Sequence, residues 1–418
     1  MSRIQADGAD AQASMVAALS GDCSITWVDD PGLIDADAWD ALLPAEGANP
    51  FLRHAFLRAL HDTGSAAPAT GWHPQFLLLH DAAGRLRAAC PAYAKDHSYG
   101  EYVFDWAWAD AHDRALARQG THYYPKLLSA VPFSPIPGSR LLVDPSVPAP
   151  ARAAWQGRLL DALAARCEDQ GWSSAHLLFL QDEEATRAAE RGWLKRPGVQ
   201  FHWLNRSGTP YADFADFLGT LQREKRKKIQ QERRKVAEAG VRFEVKQGAA
   251  ITEADWDFFH RCYTRTYLEH GQRPYLAHAF WHQVGAALPD CWTMFIAVRD
   301  GERIAASLLA VDPQAGVAYG RYWGALESVS CLHFEACYYQ GIAWCIAQGM
   351  QRFEGGAQGE HKLARGLLPV TTHSVHLLRH PGLRQAVADF LDREQRGIGY
   401  YLNELEERQP FKAGDPPT

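Results

Sequence analysis

Two stretches of the chain decide its fold: FLLLHDAAGRLRAACPAY at residues 76–93 and FIAVRDGERIAASLLAV at residues 295–311. Each segment begins with an apolar run and continues through a turn that contains Asp and Gly. A second, alternating run follows, and it begins with Arg or Glu-Arg. This pattern is typical of a β-hairpin. Because it occurs twice, we predict two domains of related topology.

A second pair of segments supports the duplication. LLDALAARCEDQG is followed by SSAHLLFL, and YYQGIAWCIAQG is followed by MQRFEGG. In each case a helical pattern ends at glycine and leads into a strand. The first half also contains VPFSPIPGSRLLVDPSVPAP, whose prolines predict an edge or irregular segment rather than a central strand. The predicted fold class is therefore α/β (α+β), with a mixed sheet flanked by helices in each domain.

A chain of 418 residues exceeds what one hydrophobic core usually supports. We predict a disordered tail at 1–22, a first domain at 23–205, a second domain at 206–410 and a tail at 411–418. The second domain is expected to contain one long helix over 211–240 and a C-terminal helix.

Composition narrows the class of protein. Hydrophobic residues make up 47% of the chain, and the net charge of -6 excludes a uniformly basic protein of the chromatin type. Asp7 and Asp10 interrupt the apolar run that a signal peptide requires, and no apolar stretch is long enough for a transmembrane helix. We therefore expect a soluble protein in the cytoplasm.

Cysteine and histidine patterns predict no metal site. The 8 cysteines form no C-x-x-C pair, so we expect reduced thiols. His373, His376 and His380 lie in an expected strand, where they would not converge on one ion.

The densest charge lies in QREKRKKIQQERRK, where basic residues at 223–235 crowd a predicted helix. One interpretation is a solvated helix face. The other is a site for a polyanion such as tRNA, another nucleic acid or a pyrophosphate-linked substrate, with Arg226 among its contacts.

The segment EGGAQGEHKLARG, residues 354–366, follows a predicted strand. Its glycines allow close backbone approach, Lys362 and Arg365 suit an anion, and Glu360 or His361 could exchange protons. It is not a phosphate-binding Walker loop. The alternative is a glycine-rich turn that carries ordinary surface charges.

A third segment, RYWGALESVSCLHFEACYYQ, spans a strand and the start of a helix at residues 321–340. His333, Glu335 and Tyr338 fall near that helix start, where Glu335 could act as a base and a tyrosine as an acid. Alternatively, Glu335 is a helix-start carboxylate and the aromatic residues belong to the core. We expect residues 354–365 and 333–339 to face each other across one cavity.

Four strings identify a family resemblance: HYYPKLLSAVPFSPIPGSRLL, EHGQRPYL, GRYWGALESVSCLHFEACYYQGI and RFEGGAQGEHKLARG. They resemble the FemAB-like group of predicted N-acyltransferases in the GNAT superfamily, often described as peptidoglycan-biosynthesis-like proteins. The resemblance implies two tandem GNAT-like (acyl-CoA N-acyltransferase) domains. It also implies transfer of an acyl or aminoacyl group from acyl-CoA or aminoacyl-tRNA to an amine, on a small molecule or a peptidoglycan precursor.

The resemblance also suggests roles for residues. In such folds the backbone N–H groups of a splayed strand stabilise the oxyanion. The resemblance therefore places Tyr322, Trp323 and Gly324 beside the acyl donor. Glu335 or Glu360 would be the base, with His361 beside them, and Tyr338 the acid. The acyl donor would contact His333, Lys362, Arg365 and Arg226.

Two points stay open at this level. The acyl-CoA motif [QR]-x-x-G-x-[GA] is met only partly by Arg321, Gly324 and Leu326, so the donor is not decided. A non-catalytic module that binds nucleic acid or another anionic ligand through residues 223–235 is the alternative function, and ligand sensing in the cleft is a third.

Overall fold

The computed structural model describes residues 23–44, 47–116, 120–357 and 359–412. The tail expected at 1–22 lies outside this part of the chain. Two compact units are present. Unit 1 comprises Met1–Ala45, Leu52–Pro197 and Thr372–Gln395, and unit 2 comprises Glu46–Phe51, Gly198–Thr371 and Arg396–Thr418. The predicted domains were contiguous with a boundary after residue 205, whereas each unit contains segments from distant parts of the sequence.

Strands form the framework of both units. Their bounds are β1 (Ser24–Val28), β2 (Trp72–Pro74), β3 (Phe76–His80), β4 (Leu86–Cys90), β5 (Tyr93–Lys95), β6 (Lys126–Ser129), β7 (Leu142–Val143), β8 (Ser174–Leu180), β9 (Leu194–Leu204), β10 (Arg242–Gln247), β11 (Trp292–Arg299), β12 (Glu302–Asp312), β13 (Val317–Ala325), β14 (Arg352–Ala357) and β15 (Leu368–Leu378).

Helices connect these strands. Their bounds are α1 (Ala36–Asp40), α2 (His54–Asp62), α3 (Trp106–Leu116), α4 (Ala149–Asp169), α5 (Asp182–Glu190), α6 (Phe214–Thr220), α7 (Arg223–Glu238), α8 (Glu253–Glu269), α9 (His278–Ala287), α10 (Leu332–Phe334), α11 (Gln340–Ala347) and α12 (Pro381–Glu407). A π-turn, Glu335–Tyr339, joins α10 to α11.

In unit 1 the predicted hairpin is present as β3 and β4. Strands β4 and β5 follow each other closely, and they pair with β7 and β6 respectively. Strand β6 then runs parallel to β8, with α4 in the crossover between them. Residues 373–378 of β15 pair with β8 in the sheet that contains β2, β5 and β6, whereas β1, β3, β4 and β7 form a separate four-stranded sheet.

In unit 2 the second predicted hairpin is β11 and β12, within an antiparallel series from β10 to β13. Strand β13 runs parallel to β14, and α10, the π-turn and α11 form the crossover. Residues 200–204 of β9 complete the sheet beside β14. Both units therefore follow one order: an antiparallel series, a helical crossover to a parallel strand, and a last strand from a distant part of the chain. The predicted related topology is confirmed.

Each unit has its own apolar core. In unit 1, Trp155 and Leu159 of α4 pack with Leu77 and Leu127 of the strands. In unit 2, Trp203, Phe353 and Ile342 pack with α6 and the end of the chain. Burial of each such side chain contributes about 1.5–3 kcal/mol, so these faces account for much of the folding free energy.

The helix predicted over 211–240 is wrong as a single element. Helices α6 and α7 are separated at Leu221, which is extended at φ -78° and ψ 150° and forms an isolated bridge with Phe411. Gln222 donates a 2.9 Å hydrogen bond to the Gln409 carbonyl. Phe411 is buried, so the second unit extends to Lys412 and residue 411 is not part of a tail. In contrast, α12 continues through Gly397 and Gly399 without a break.

None of the helices formed by the described residues combines the length and apolar character that crossing a bilayer requires.

Candidate active site

The parallel strands of unit 2 diverge at a defined point. β13 and β14 pair from Val317 and Arg352 up to Tyr319 and Glu354, and their ladder ends there. The register between β12 and β13 shifts beside Arg321, so Arg321 occupies a β-bulge. Bulges bend a strand, which explains why β13 leaves β14 at this residue.

A cavity of about 170 Å³ lies where the strands diverge. Its walls include Gly320, Tyr322 and Trp323 from β13, Gly355 from β14, and two residues of the crossover, His333 and Tyr338. Backbone groups of β13 beyond Tyr319 have no β14 partner in the ladder. This part of β13 still pairs with β12, so only the N–H groups that point away from β12 are suited to bind an oxyanion.

The π-turn determines which side chain of the crossover enters the cavity. Tyr338 and Tyr339 are adjacent and both buried, yet they have different partners. The Tyr338 hydroxyl lies 3.2 Å from Nε2 of His361, whereas the Tyr339 hydroxyl donates to Glu232 of α7. The wider π-turn accommodates both large rings, and such turns are frequent at functional sites.

Aromatic rings line the mouth of the cavity. The His333 ring meets the Tyr338 ring edge-on, with centroids 5.7 Å apart, and it meets Trp323 at 5.6 Å. Tyr322 is held by Trp281 of α9, with ring centroids 4.9 Å apart. These contacts fix the walls, so the cavity has a defined shape.

The surroundings of Tyr338 and His361 shift the pKa values of these two side chains in opposite directions. Burial raises the pKa of Tyr338, so its hydroxyl stays protonated at neutral pH. Desolvation and the nearby Arg365 and Lys362 cations lower the pKa of His361, so its ring stays neutral. Burial also lowers the pKa of Lys362 to about 8. The hydrogen-bonded pair of Tyr338 and His361 thus joins a proton donor to a proton acceptor.

The comparisons with known proteins follow from this fold and site. No match to the chain occurs among proteins of curated function. The FemAB-like family, described as peptidoglycan biosynthesis/recognition, matches residues 32–413. The chain belongs to the FemAB-like family. The predicted α/β fold class, with parallel and antiparallel strands and helices in each of two units, is confirmed.

Solved structures resemble this FemAB-like chain over most of its length. The C-terminal domain of a predicted lysylphosphatidylglycerol synthetase from Agrobacterium fabrum aligns at a TM-score of 0.50 and 9% identity, covering 85% of this chain and 95% of that domain. The L-PGS of Bacillus licheniformis aligns at 0.47 and 9% identity, covering 80% and 96%. A tandem GNAT protein from the clavulanic acid biosynthesis pathway aligns at 0.44 and 11% identity, covering 86% and 99%.

Glu335 does not lie at the cavity of this FemAB-like protein. Its buried carboxylate accepts hydrogen bonds from Arg233 at 3.2 Å and from Gln340 at 2.7 Å, and it borders a separate depression beside α7. In an α-helix Glu335 and Tyr338, three residues apart, would share a face. The π-turn changes the rotation per residue, so they point to different sides. The assignment of Glu335 as the base is therefore corrected.

Glu360 and Gly324 also have structural partners. Glu360 is exposed and pairs with Arg408, the residue that follows α12, at 3.0 Å. At Gly324, a Cβ atom would lie 2.0 Å from the Cys262 carbonyl oxygen, so the absent side chain lets α8 pack directly on β13. This glycine serves packing rather than a phosphate-binding motif.

Two of the cations predicted to bind the acyl donor differ in position. Lys362 lies beside the cavity, whereas Arg365 binds other residues of the chain. The Arg365 guanidinium is buried, lies 2.9 Å from the Glu232 carboxylate and stacks 3.6 Å from the Phe334 ring centroid. It also donates a 2.7 Å hydrogen bond to the His361 carbonyl, so it positions His361. Arg226 lies on the partly exposed surface of α7, and no described contact links it to the cavity.

The sequence predicted no pairing of Arg321, a position of the partial acyl-CoA motif, with Glu354, yet this pair bridges the diverging strands. Arg321 donates a 2.7 Å hydrogen bond to the Glu354 carbonyl and lies 3.3 Å from its carboxylate. Both side chains are buried. Arg321 and Glu354 are the first residues of the two segments singled out from the sequence, and no local sequence pattern predicts that they pair. Only the parallel pairing of β13 and β14 brings them together.

The corresponding position of unit 1 is filled by its own chain. Residues 130–136 are buried after β6, and Gly138 donates a 2.9 Å hydrogen bond to the Phe179 carbonyl near the end of β8. The fully buried Arg140 guanidinium donates to the carbonyls of the same segment, including Ser139 at 3.0 Å. We call residues 130–141 the plug. The proline-rich sequence predicted an irregular segment here but not where it would lie.

Proposed function

We propose that this FemAB-like protein is an N-acyltransferase that moves an acyl or aminoacyl group from an activated donor to an amine. The observation that carries the proposal is the cavity at the divergence of β13 and β14, with Tyr338 and His361 joined at its edge. Family membership supports it, because the family description concerns peptidoglycan biosynthesis or recognition. An amine on a peptidoglycan precursor is therefore one acceptor class, and a small-molecule amine is the other.

The reaction needs three functions at one carbonyl carbon. The acceptor amine attacks the carbon and forms the new C–N bond, and the carbonyl oxygen becomes an oxyanion. Backbone N–H groups of β13 around Tyr322 and Trp323 are candidates to stabilise that oxyanion. The bond to the leaving group then breaks, and the leaving thiolate or ribose oxygen takes a proton.

Tyr338 and His361 are suited to move the proton. In the proposed cycle neutral His361 takes the proton that the attacking amine loses. The Tyr338 hydroxyl gives its proton to the leaving group, and His361 returns a proton to Tyr338 across their 3.2 Å contact. One proton thus passes from amine to leaving group, and both side chains end in their starting states.

Charge near the site suits an anionic donor. Lys362 is buried beside β14, and its Nζ lies 3.4 Å from the Gly356 carbonyl. An acyl-CoA carries a pyrophosphate and an aminoacyl-tRNA carries a phosphate backbone, so either donor would gain from this cation. A cytoplasmic location, where the free cysteines would stay reduced, completes the proposal.

The decisive experiment profiles donors with purified protein. We would incubate it with a panel of acyl-CoAs and, separately, with charged tRNAs, each with amine acceptors that include peptidoglycan precursors. Consumption of a donor, dependent on acceptor and lost in Tyr338→Phe and His361→Gln, supports the proposal. A matched control is His270→Ala, an exposed histidine whose ring contacts only the α8 backbone in the described hydrogen bonds. Donor consumption that survives both site variants would place the chemistry elsewhere.

A second function, binding of nucleic acid or another polyanion without catalysis, is favoured by α7. Among its basic residues from 223 to 228, the structure gives one ion pair, a 3.9 Å contact between Lys227 and Glu224. The remaining positive charge faces solvent without a compensating carboxylate in the described contacts. Binding of tRNA by fluorescence anisotropy, falling steeply with salt, together with no turnover of any donor would favour this function over transfer.

A further inference from the structure

Three potential metal ligands meet on the outside of unit 2, away from the candidate active site. His278 and His282 are four residues apart on α9, so they share one helix face. Asp257 on α8 faces them. The ligand atoms of the three side chains all lie within 4.8 Å of one another. The sequence predicted no metal site at His373, His376 and His380 or at the cysteines, and the three residues of this cluster belong to neither set.

The distances fit one small cation. Nε2 of His278 and Nε2 of His282 are 3.3 Å apart, and they lie 2.7 Å and 2.9 Å from the same Asp257 Oδ1 atom. Zinc is bound by histidine nitrogen and carboxylate oxygen at about 2.0–2.2 Å in tetrahedral geometry, which separates neighbouring ligand atoms by about 3.3 Å. The two nitrogens already have this spacing, and the carboxylate needs to move outward by only a few tenths of an ångström.

Hydrogen bonding satisfies this arrangement poorly. For Oδ1 of Asp257 to accept from both rings, His278 and His282 must each carry a proton on Nε2, and these protons would then crowd each other across 3.3 Å. A cation among the three atoms removes that conflict, because both nitrogens then present lone pairs. A fourth polar group lies close: the His260 ring centroid is 4.9 Å from that of His278. The buried Nδ1 atom of His260 has no hydrogen-bond partner among the residues that the structure describes.

The ligand set indicates the class of metal. Two imidazoles and one carboxylate suit zinc and neighbouring late first-row divalent ions, whereas magnesium and calcium prefer sites made only of oxygen ligands. Three protein ligands leave one tetrahedral position for water. The site is partly exposed, since the His278 side chain is 53% accessible, so an ion could enter without rearrangement of the core.

We propose that Asp257, His278 and His282 form a zinc-type metal site that fastens α9 to α8. These two helices support the cavity wall: Trp281 of α9 and Tyr263 of α8 pack on Tyr322, and α8 contacts β13 at Gly324. A metal that joins the helices would hold this wall. The ion has no step in the proposed reaction, so the metal site stands independently of the proposed function.

Isothermal titration of tag-free protein with Zn²⁺ tests the site, with Mg²⁺ as the comparison ion. We expect one zinc per chain and no magnesium binding at the same concentrations. His278→Ala combined with His282→Ala should weaken zinc binding by at least tenfold, because loss of a ligand costs no less than loss of an outer-shell partner, about 10–100-fold. His270→Ala, which removes an exposed histidine that directly follows α8 and lies outside the cluster, should leave the affinity unchanged.

Thermal unfolding supplies a second readout. Zinc should raise the melting temperature of the wild type and of His270→Ala, and should leave that of the double variant unchanged, because a ligand that binds only the folded state stabilises it. Zinc binding of equal strength in the double variant and the wild type, or no zinc binding at all, would overturn the proposal.

Discussion

Units 1 and 2 share a strand order, and they differ most where their parallel strands end. In unit 2, β13 and β14 diverge after Tyr319 and leave a cavity lined by Tyr338. In unit 1, the chain that leaves β6 turns back as the plug and occupies the same region beside β8. One half of the duplicated fold therefore keeps an open site, whereas the other is closed by its own sequence.

The plug shows what closing such a site requires. An irregular buried segment has carbonyl groups without a ladder partner, and each needs a donor. Arg140 meets this need with one fully buried guanidinium, and Glu184 accepts a 3.0 Å hydrogen bond from the Arg140 backbone N–H. In unit 2, Arg321 and Glu354 bridge the gap but leave the cavity open. In the proposed function, unit 2 is therefore the half that binds the ligand.

The comparison depends most strongly on Tyr338 and His361. Replacing His361 with Gln, or Tyr338 with Phe, should lower turnover by about 10²-fold or more if the pair moves the proton. The melting temperature should change little for His361→Gln, because this histidine is exposed. Steady-state kinetics with the donor found by profiling would measure the effect. Full activity in both variants would remove the open cavity from the mechanism.

The pH profile sharpens this test. The pKa of His361 is lowered by desolvation and by Arg365 and Lys362, so the neutral ring persists to a lower pH than an ordinary histidine. As pH falls, kcat/KM should therefore decline at a pH below the usual histidine range, near 6.5. Lys362→Gln removes one of the two cations and should move the decline to higher pH. A profile that stays the same in this variant would contradict the role of His361 as base.

A change in the plug should affect stability rather than chemistry. Arg140→Met removes the donors of several buried carbonyls and is expected to lower the free energy of unfolding by about 3 kcal/mol. Turnover per folded molecule should stay near that of the wild type. Denaturant titration measures the loss, and Arg85→Met, at a side chain 67% exposed, is the control expected to lie within about 0.5 kcal/mol. An equal loss in both variants would show that Arg140 does not hold the plug.

Gly324 tests the support of the open site. A methyl group there would meet the backbone of Cys262, so Gly324→Ala should cost about 1–3 kcal/mol and weaken substrate binding by shifting β13. Gly397→Ala is a matched control in α12, where a Cβ meets open space. Because alanine has a higher helix propensity than glycine, Gly397→Ala should raise the free energy of unfolding by up to about 1 kcal/mol. Thermal unfolding of the two variants should therefore move in opposite directions.

The smallest effect on turnover is expected for Glu335. Because its carboxylate pairs with Arg233 and Gln340 outside the cavity, Glu335→Gln should change turnover by less than threefold. Loss of the pair should cost stability by about 1 kcal/mol, since the Arg233 side chain is 35% exposed and keeps its hydration. A drop of 10²-fold would instead move the reaction centre to the depression beside α7.

Local patterns in the sequence determined much of this protein. The two hairpins, the paired helix-to-strand segments and the irregular proline-rich segment follow from alternation, turn residues and missing N–H donors, which act over a few neighbours. The same patterns singled out the segments around Tyr338 and His361. They were sufficient because the first segment connects β13 to β14 and the second follows β14, and the duplication already indicated the order of these strands.

The tertiary structure alone decided which residues of those segments meet. The helix break at Leu221 depends on the bridge with Phe411. The direction of the Glu335 side chain depends on the π-turn, and the need for glycine at position 324 depends on the close approach of α8. Tertiary packing also decided that β9 pairs with β14 and β15 with β8, although these strands are far apart in the sequence. It likewise brought Asp257 and His278 together. Periodicity fixes which face of an element is apolar, but the partner of that face is selected by the packing of the whole unit.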